Sequence, residues 1–101
     1  MNNKSFDFIG WMKEGTHDKV WVTYVIKDDF IMVKYITIWG RRGRKLQYKS
    51  FEDYRYEYDK LVRSKLSKGY MKINKARLDE VYPEFQQDLE AIAIWSTLIG
   101  G

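Results

Sequence analysis

The sequence predicts an α+β fold, a twisted antiparallel β-sheet with an amphipathic helix packed on one face and an additional C-terminal helix. Two patterns predict it. The first half of the chain has runs of β-branched and aromatic residues separated by short polar turns, which is typical of strands joined as hairpins. The rest has apolar residues at three- and four-residue steps, which indicates helices. The 101 residues suffice for one compact domain, so we expect a single domain over 1–101.

Four strands are expected before residue 50. The run at 19–27 gives the strongest signal because Val, Trp, Thr, Tyr and Ile dominate it. Asp28 and Asp29 favour a turn, so the next run forms an antiparallel hairpin with the first, which is a local contact of low entropic cost. Gly40 to Arg44 turns the chain again. The resulting meander has strands at 6–12, 19–27, 30–39 and 45–49.

An amphipathic helix is expected to begin at Ser50. Its hydroxyl can cap the helix, and Asp53 stands at the reciprocal position of a capping box. Gly69 is at the natural C-terminal cap, with Lys65 and Lys68 near the negative end of the helix dipole. The apolar face predicted to pack on the sheet consists of Phe51, Tyr54, Tyr58, Leu61, Val62 and Leu66.

The last third of the chain predicts a short edge strand and a second helix. The strand covers 70–73, and Pro83 is well placed to begin a helix that runs to about Leu98. From Ala91 onward this helix is apolar nearly all round, so it must be buried against its own sheet or against another subunit. Trp95 accordingly belongs to a core or to an interface.

The distribution of charge is more informative than its sum. The net charge is +4, but twelve of the 18 Lys and Arg residues lie in two windows, 34–49 and 63–77, that contain no Asp or Glu. Acidic residues gather at 52–59 and 79–90. Such a one-sided distribution is typical of proteins that bind a polyanion. For the 63–77 window, an ordinary solvated face is the alternative.

Trp39 and the turn after it form the main candidate site. Gly40 and Gly43 make the turn tight, and no carboxylate offsets its positive charge. Cations beside a large indole suit an anionic, ring-bearing ligand, which means nucleic acid. Alternatively, Trp39 is a core residue and Arg41 bonds the carbonyls of the turn. The cationic residues of the turn are Arg41, Arg42, Arg44 and Lys45.

Trp39-Gly40-Arg41, followed by Arg42-Gly43, resembles the signature of the WGR domain, which is known from DNA-dependent poly(ADP-ribose) polymerases and from many bacterial proteins. The strand at 19–27 and its Asp-Asp turn precede the motif as in that family. The helix that ends in Lys68-Gly69-Tyr70 and the segment Val81-Tyr82-Pro83 also resemble family features. The resemblance covers about residues 18–83 and implies a twisted antiparallel sheet with one helix on a face. Residues 84–101 extend beyond it as a helical extension.

The resemblance also implies residue roles. In the polymerases the domain binds DNA at strand breaks, where the motif Trp packs against the sugar of the terminal nucleotide and basic and tyrosyl groups hold the 5′-phosphate. Trp39 would be the sugar or base contact, and Arg41 the adjacent contact to nucleic acid or to a partner domain. Lys19 and Tyr82 become candidate phosphate contacts, although Tyr82 could instead be a hydrophobic staple. Asp18 departs from the family, because Asn is common there and a carboxylate near phosphate is unfavourable.

Several function classes are not expected. The chain has no cysteine and one histidine, His17, so we expect neither a metal site nor a cofactor. No nucleophile motif or perturbed carboxylate pair is evident, and 101 residues leave no room for a polymerase catalytic domain, so we expect no enzyme. The polar start lacks an apolar signal segment, and no run approaches the roughly 20 apolar residues of a membrane span. We expect a soluble cytoplasmic protein, with association with the nucleoid as one option.

The sequence therefore predicts a stand-alone nucleic-acid-binding module. It would engage DNA ends, nicks or single-strand junctions through phosphate contacts and stacking on Trp39, with RNA as an alternative ligand. A second hypothesis uses the same scaffold for protein interaction or dimerisation, with a partner protein or a second copy docked on the apolar C-terminal helix.

Overall fold

The computed structural model describes the backbone of residues 4–100 and the side chains of residues 4–97. Five strands and four helices follow one another along this part of the chain. They are β1 (Ser5–Glu14), β2 (His17–Asp28), β3 (Met32–Arg41), β4 (Gln47–Tyr54), α1 (Arg55–Ser67), β5 (Met71–Lys72), α2 (Lys75–Val81), α3 (Phe85–Glu90) and α4 (Ala93–Gly100).

The strands form one antiparallel sheet in the order β4-β3-β2-β1-β5. The predicted α+β class is confirmed, as is the hairpin between the second and third strands. The predicted edge strand at 70–73 is present as β5, which pairs with β1 through Gly10 and Trp11. The sheet therefore has two edges of different kind, the two-residue β5 on one side and the eight-residue β4 on the other.

Each face of the sheet is covered by different helices. Because side chains alternate along a strand, β2 sends Val20, Val22 and Tyr24 to one face and Trp21, Thr23 and Val25 to the other. The first face carries the larger core, closed by Leu78 of α2, Phe85 and Leu89 of α3, Ile92 of the turn between α3 and α4, and Trp95 of α4. The second face is covered by α1 through Tyr58, Leu61 and Val62. We call these the three-helix face and the α1 face.

The prediction that a helix begins at Ser50 is wrong. Residues 47–54 pair in unbroken register with β3, and α1 begins only at Arg55 with no side-chain cap from Tyr54. Phe51 stacks on Tyr35 with ring centroids 5.3 Å apart, and the Tyr35 hydroxyl donates to Asp53 over 2.6 Å. These contacts with a neighbouring strand outweigh the local capping signal. The end of the helix is as predicted, since Gly69 follows it with φ +107°.

The predicted long C-terminal helix is divided. An additional helix, α2, begins after Asn74, whose side chain accepts a hydrogen bond from the Arg77 amide over 2.7 Å. Residues after Pro83 form two short helices, α3 and α4, separated by a tight turn at 91–92. From these two helices and the turn between them, Phe85, Leu89, Ile92 and Trp95 all reach the same core.

Candidate nucleic-acid interface

The basic turn lies at one end of the sheet, where β2 and β3 meet. The register pairs Lys19 with Arg41 and Trp21 with Trp39, so these four side chains share the α1 face. Trp39 is partly buried and packs beside Trp21 and Tyr70. It therefore combines the two alternatives left open by the sequence, since part of the indole contacts the core and part lines the surface.

Two glycines shape the turn for different reasons. Gly43 has φ +86° and open space around it, so it is required for backbone conformation and not for packing. Gly40 is instead crowded, because a Cβ atom there would come within 3.2 Å of the Leu46 side chain and 3.5 Å of its backbone. Leu46 is buried in the core of the three-helix face. The turn is thus anchored to that core while its cations stay exposed.

Two adjoining depressions lie on either side of Trp39. One has a volume of about 410 Å³ and the other about 250 Å³, and both are bordered by Trp39 and Tyr70. We call the pair the Trp39 groove. Neither depression has a carboxylate or a histidine among the described residues that line it. Its basic side chains are Lys19, Arg41, Arg44, Lys45, Lys49 and Lys65.

Three of these lysines are held over aromatic rings, and for Lys49 the distance from the ammonium to the ring centroid of Phe51 is 5.2 Å. The Lys19 ammonium lies 5.9 Å from the ring centroid of Tyr70, and the Lys65 ammonium lies 5.1 Å from that of Trp21. Burial, together with the positive charges of Lys68 and Lys19, lowers the pKa of Lys65. The fold therefore gathers like charges at this place at a cost in stability. An anion bound in the groove would remove that cost.

The cations of the Trp39 groove are unpaired within the described part of the chain. Six ion pairs are formed by residues 4–97, and none includes a groove residue. The side chain of Arg41 is exposed and makes no hydrogen bond among these residues, contrary to the alternative that it braces the turn. The structure thus brings five predicted residues together, and the charged ones among them have no ion-pair partner in the described part of the chain. They are Trp39, Arg41, Arg44, Lys45 and Lys19.

Arg42 is the exception, and it has the structural role considered for Arg41. Its guanidinium lies 2.6 Å from the Asp18 carboxylate and donates to the Val81 carbonyl at the end of α2. Asp18 also accepts from the Trp11 indole over 3.0 Å. Although burial alone would raise the pKa of Asp18, this hydrogen bond and the charges of Arg42 and Lys13 lower it.

The ion pair with Arg42 also accounts for the carboxylate at position 18, where Asn is common in the WGR family. Asp18 alternates with Lys19 along β2, so its carboxylate is directed to the three-helix side while Lys19 faces the groove. Arg42 compensates its charge. The carboxylate is therefore separated from the Trp39 groove by the sheet, and the unfavourable contact with phosphate expected from the sequence does not arise.

The prediction that Tyr82 contacts phosphate is wrong. Tyr82 is buried with 1% of its surface exposed, in the core of the three-helix face. Its hydroxyl donates to Asp88, and its ring packs edge-on against Phe85. Burial and the neighbouring carboxylates raise the pKa of Tyr82. The residue closes the core on the face opposite Trp39 and cannot reach a ligand there.

Trp95 likewise belongs to the core of its own chain. It is 5% exposed, packs edge-on against Tyr24 at 4.9 Å and lies parallel to Phe6 at 6.1 Å. The sequence allowed the C-terminal helix to be buried against its own sheet or against another subunit, and the structure shows Trp95 buried against its own sheet. This counts against dimerisation through Ile92 and Trp95, which are already buried in that core, whereas Leu98 and Ile99 of the predicted apolar helix lie outside the described side chains.

Sequence reasoning missed several residues that line the groove, among them Trp21, Lys49, Lys65 and Tyr70. The two lysines lie in the acid-free windows noted above, so their charge was visible but their position was not. Lys65 reaches the groove because α1 crosses the sheet and ends beside β2, and Tyr70 because the chain returns through Gly69 to pair with β1. Only the packing of α1 joins the two windows.

Two structural features are absent from the described part of the chain. No group of three or more His, Asp or Glu side chains there is arranged to hold a metal ion. Among the helices described, none has the length and apolar character needed to cross a bilayer. Comparison of the chain with protein-family models, with curated proteins and with solved structures found no match. The WGR resemblance therefore stays a prediction from the sequence.

Proposed function

We propose that this protein is a nucleic-acid-binding module whose binding surface is the Trp39 groove. The observation that carries the proposal is the groove itself, in which a partly exposed indole is surrounded by six unpaired cations and no carboxylate. Cations neutralise phosphates and release counterions, while an indole stacks on a base or packs on a sugar. The resemblance of the Trp39 turn to a WGR motif supports DNA ends, nicks or single-strand junctions as the preferred ligands.

The shape of the groove favours backbone contacts and stacking over sequence recognition. Trp39 is recessed between β3, β4 and the end of α1, and no helix protrudes there to enter a major groove. A splayed or terminal nucleotide can reach the indole, whereas a base inside a continuous stack cannot. The proposal therefore predicts a preference for breaks and single strands over intact duplex, with little dependence on sequence.

Fluorescence anisotropy with nicked 5′-phosphorylated DNA, intact duplex, single-stranded DNA and RNA tests the proposal. If all six cations contact phosphates, the slope of log K against log salt should be about −4 for a single strand and about −5 for a duplex. The Arg41→Ala/Arg44→Ala variant should bind at least about tenfold more weakly and reduce the slope by about 1.5. Trp39→Ala should weaken binding with little change of slope, by about 1–3 kcal/mol.

The matched control is Lys27→Ala/Lys34→Ala. It removes the same charge from two exposed lysines that pair across β2 and β3 at the end of the sheet away from the groove. Its affinity should stay within about twofold of wild type, since charges beyond a Debye length are screened. Absence of binding at low salt, or equal loss in both double variants, would rule out the Trp39 groove. Binding of an acidic protein but of no nucleic acid would favour a protein-interaction module instead.

A further inference from the structure

The β4 edge of the sheet is unusually open. β4 has eight residues, its register with β3 has no bulge, and it contains no proline. Its outer backbone groups have no neighbouring strand among the described residues. Edge strands are normally short, bulged or interrupted because an open edge invites pairing with another strand. β1, by contrast, has a bulge and is partly covered by β5.

The sequence of β4 is complementary to itself. In a two-fold arrangement with the axis perpendicular to the sheet, opposed residues must lie on the same face, so the axis has to pass through a residue. An axis at Phe51 places Lys49 opposite the partner's Asp53 twice and Tyr48 opposite the partner's Tyr54 twice. Opposite-charge and aromatic cross-strand pairs are the favourable ones. The side chains concerned are exposed or partly exposed.

Neighbouring registers are less favourable. An axis at Ser50 would place Lys49 opposite the partner's Phe51 and Tyr48 opposite the partner's Glu52. An axis at Glu52 would place that carboxylate opposite its own copy, which is destabilising. Charge and ring pairing therefore single out the register centred on Phe51.

A cleft along the same strand adds contact surface. It lies between β4 and α1, has a volume of about 640 Å³, and combines aromatic walls with charges of both signs. A second copy would bring its own cleft to the same edge, beside the exposed ring of Tyr56. The lining includes Tyr35, Phe51, Asp53, Tyr56, Glu57 and Lys60.

We propose that the β4 edge is a self-association surface, at which a second copy of this chain pairs antiparallel about Phe51 to continue the sheet to ten strands. The interface is small, so the dimer forms with a dissociation constant of roughly 10–100 µM. The two Trp39 grooves then lie on one face of the joined sheet, roughly 30 Å apart by strand geometry, and each keeps five unpaired cations because Lys49 pairs with the partner's Asp53. Only this last consequence, a bivalent binding surface, rests on the proposed function; the dimer does not.

Sedimentation equilibrium without nucleic acid tests the dimer directly, over roughly 10 µM to 1 mM so as to bracket the expected constant. Wild type should shift from monomer to dimer. Lys49→Glu should weaken association at least about tenfold, because it replaces two attractions by two repulsions. Lys27→Glu makes the same charge change at an exposed residue away from β4 and should leave association unchanged. Wild type that stays monomeric, or equal weakening by both variants, would refute the proposal.

Cross-linking tests the register, and it does so in a chain that has no cysteine of its own. With the axis at Phe51, Ser50 faces the partner's Glu52, so Ser50→Cys/Glu52→Cys should give a covalent dimer on mild oxidation. Ser50→Cys alone should not, because diagonal neighbours are about 7–8 Å apart, beyond disulfide reach. Ser67→Cys, exposed at the end of α1, controls for random collision. Efficient cross-linking of Ser50→Cys alone would move the axis and overturn this register, and equal yields from all three variants would overturn the interface.

Discussion

The two faces of the sheet treat similar residues in opposite ways. On the three-helix face, Trp95, Tyr82, Asp18 and Arg42 are buried or paired. On the α1 face, one helix covers the sheet only in part, and Trp39 stays partly exposed among unpaired cations. The turn at 40–45 contributes Arg42 to an ion pair on the three-helix side and its other cations to the Trp39 groove. The difference teaches that an aromatic or basic residue type does not by itself indicate a binding site; the number of helices over it does.

The two tryptophans should show the largest contrast. Trp95→Ala should lower the free energy of unfolding by about 3–5 kcal/mol, because it leaves a cavity under three helices. Trp39→Ala should cost only about 1–2 kcal/mol, since part of its ring is already in solvent. Urea denaturation followed by far-UV circular dichroism measures both. Equal losses would mean that the α1 face is as closed as the other.

Tyr58→Phe should show whether the part of the α1 face under Tyr58 is closed to water. The Tyr58 hydroxyl is 2.7 Å from that of Thr23 and donates to Asp7, and Thr23 in turn accepts from the Phe8 amide over 3.0 Å. Without the Tyr58 hydroxyl, the buried Thr23 hydroxyl still accepts from Phe8 but its proton has lost its acceptor, which should cost about 1–3 kcal/mol of unfolding free energy.

Tyr56→Phe is the matched control for that measurement. Its ring is 68% exposed on the same helix, so the change should stay within about 0.5 kcal/mol of wild type. A small loss in Tyr58→Phe as well would show that water reaches the Thr23 hydroxyl and that the open region extends under α1.

Arg42→Ala should destabilise the protein by about 1 kcal/mol without the loss of affinity expected for Arg41 and Arg44. The effect should depend on pH. The pKa of Asp18 is held below its ordinary value of 3.8, so its contribution is present above that value and is lost as the pH falls through the lowered pKa. Unfolding free energies of wild type and variant, measured from neutral to acid pH, should therefore converge in acid. A constant difference at every pH would mean that the bond from Arg42 to the Val81 carbonyl, and not the ion pair, carries the effect.

Lys65→Met should give the smallest change in stability, and one of opposite sign. The lowered pKa means that the folded state disfavours the charged lysine, a cost fully present at neutral pH that falls as the pH rises through the lowered pKa and disappears above the ordinary value of 10.5. Removing the charge should stabilise the protein by a few tenths of a kcal/mol while it weakens nucleic-acid binding. Thermal unfolding and anisotropy on the same sample measure both. Destabilisation with unchanged affinity would place Lys65 in the core and outside the Trp39 groove.

Predictions from the sequence were most accurate where a local signal decides the structure, and least accurate where pairing with a neighbouring element outweighs that signal. The strand at 19–27 and the end of α1 at Gly69 follow from propensity and backbone conformation, so both were predicted. Ser50 carried a good capping signal, but β3 offered eight residues of pairing and a stacking partner for Phe51, which outweighed it. The break at 91–92 could not be predicted, because residues 91–99 contain no glycine or proline that would mark it.

Alternation along β3 by itself determined that Trp39 and Arg41 share one face, because the side-chain period of a strand is two. The register with β2 then placed Lys19 on the same face. Composition likewise determined that the 34–49 and 63–77 windows carry unbalanced positive charge. Only the tertiary structure decided that α1 brings Lys65 to Trp39, that Tyr82 belongs to the opposite core, and that Arg42 rather than Arg41 is paired. The reason is that burial and ion pairing depend on which elements pack together, and no local pattern in the chain records that.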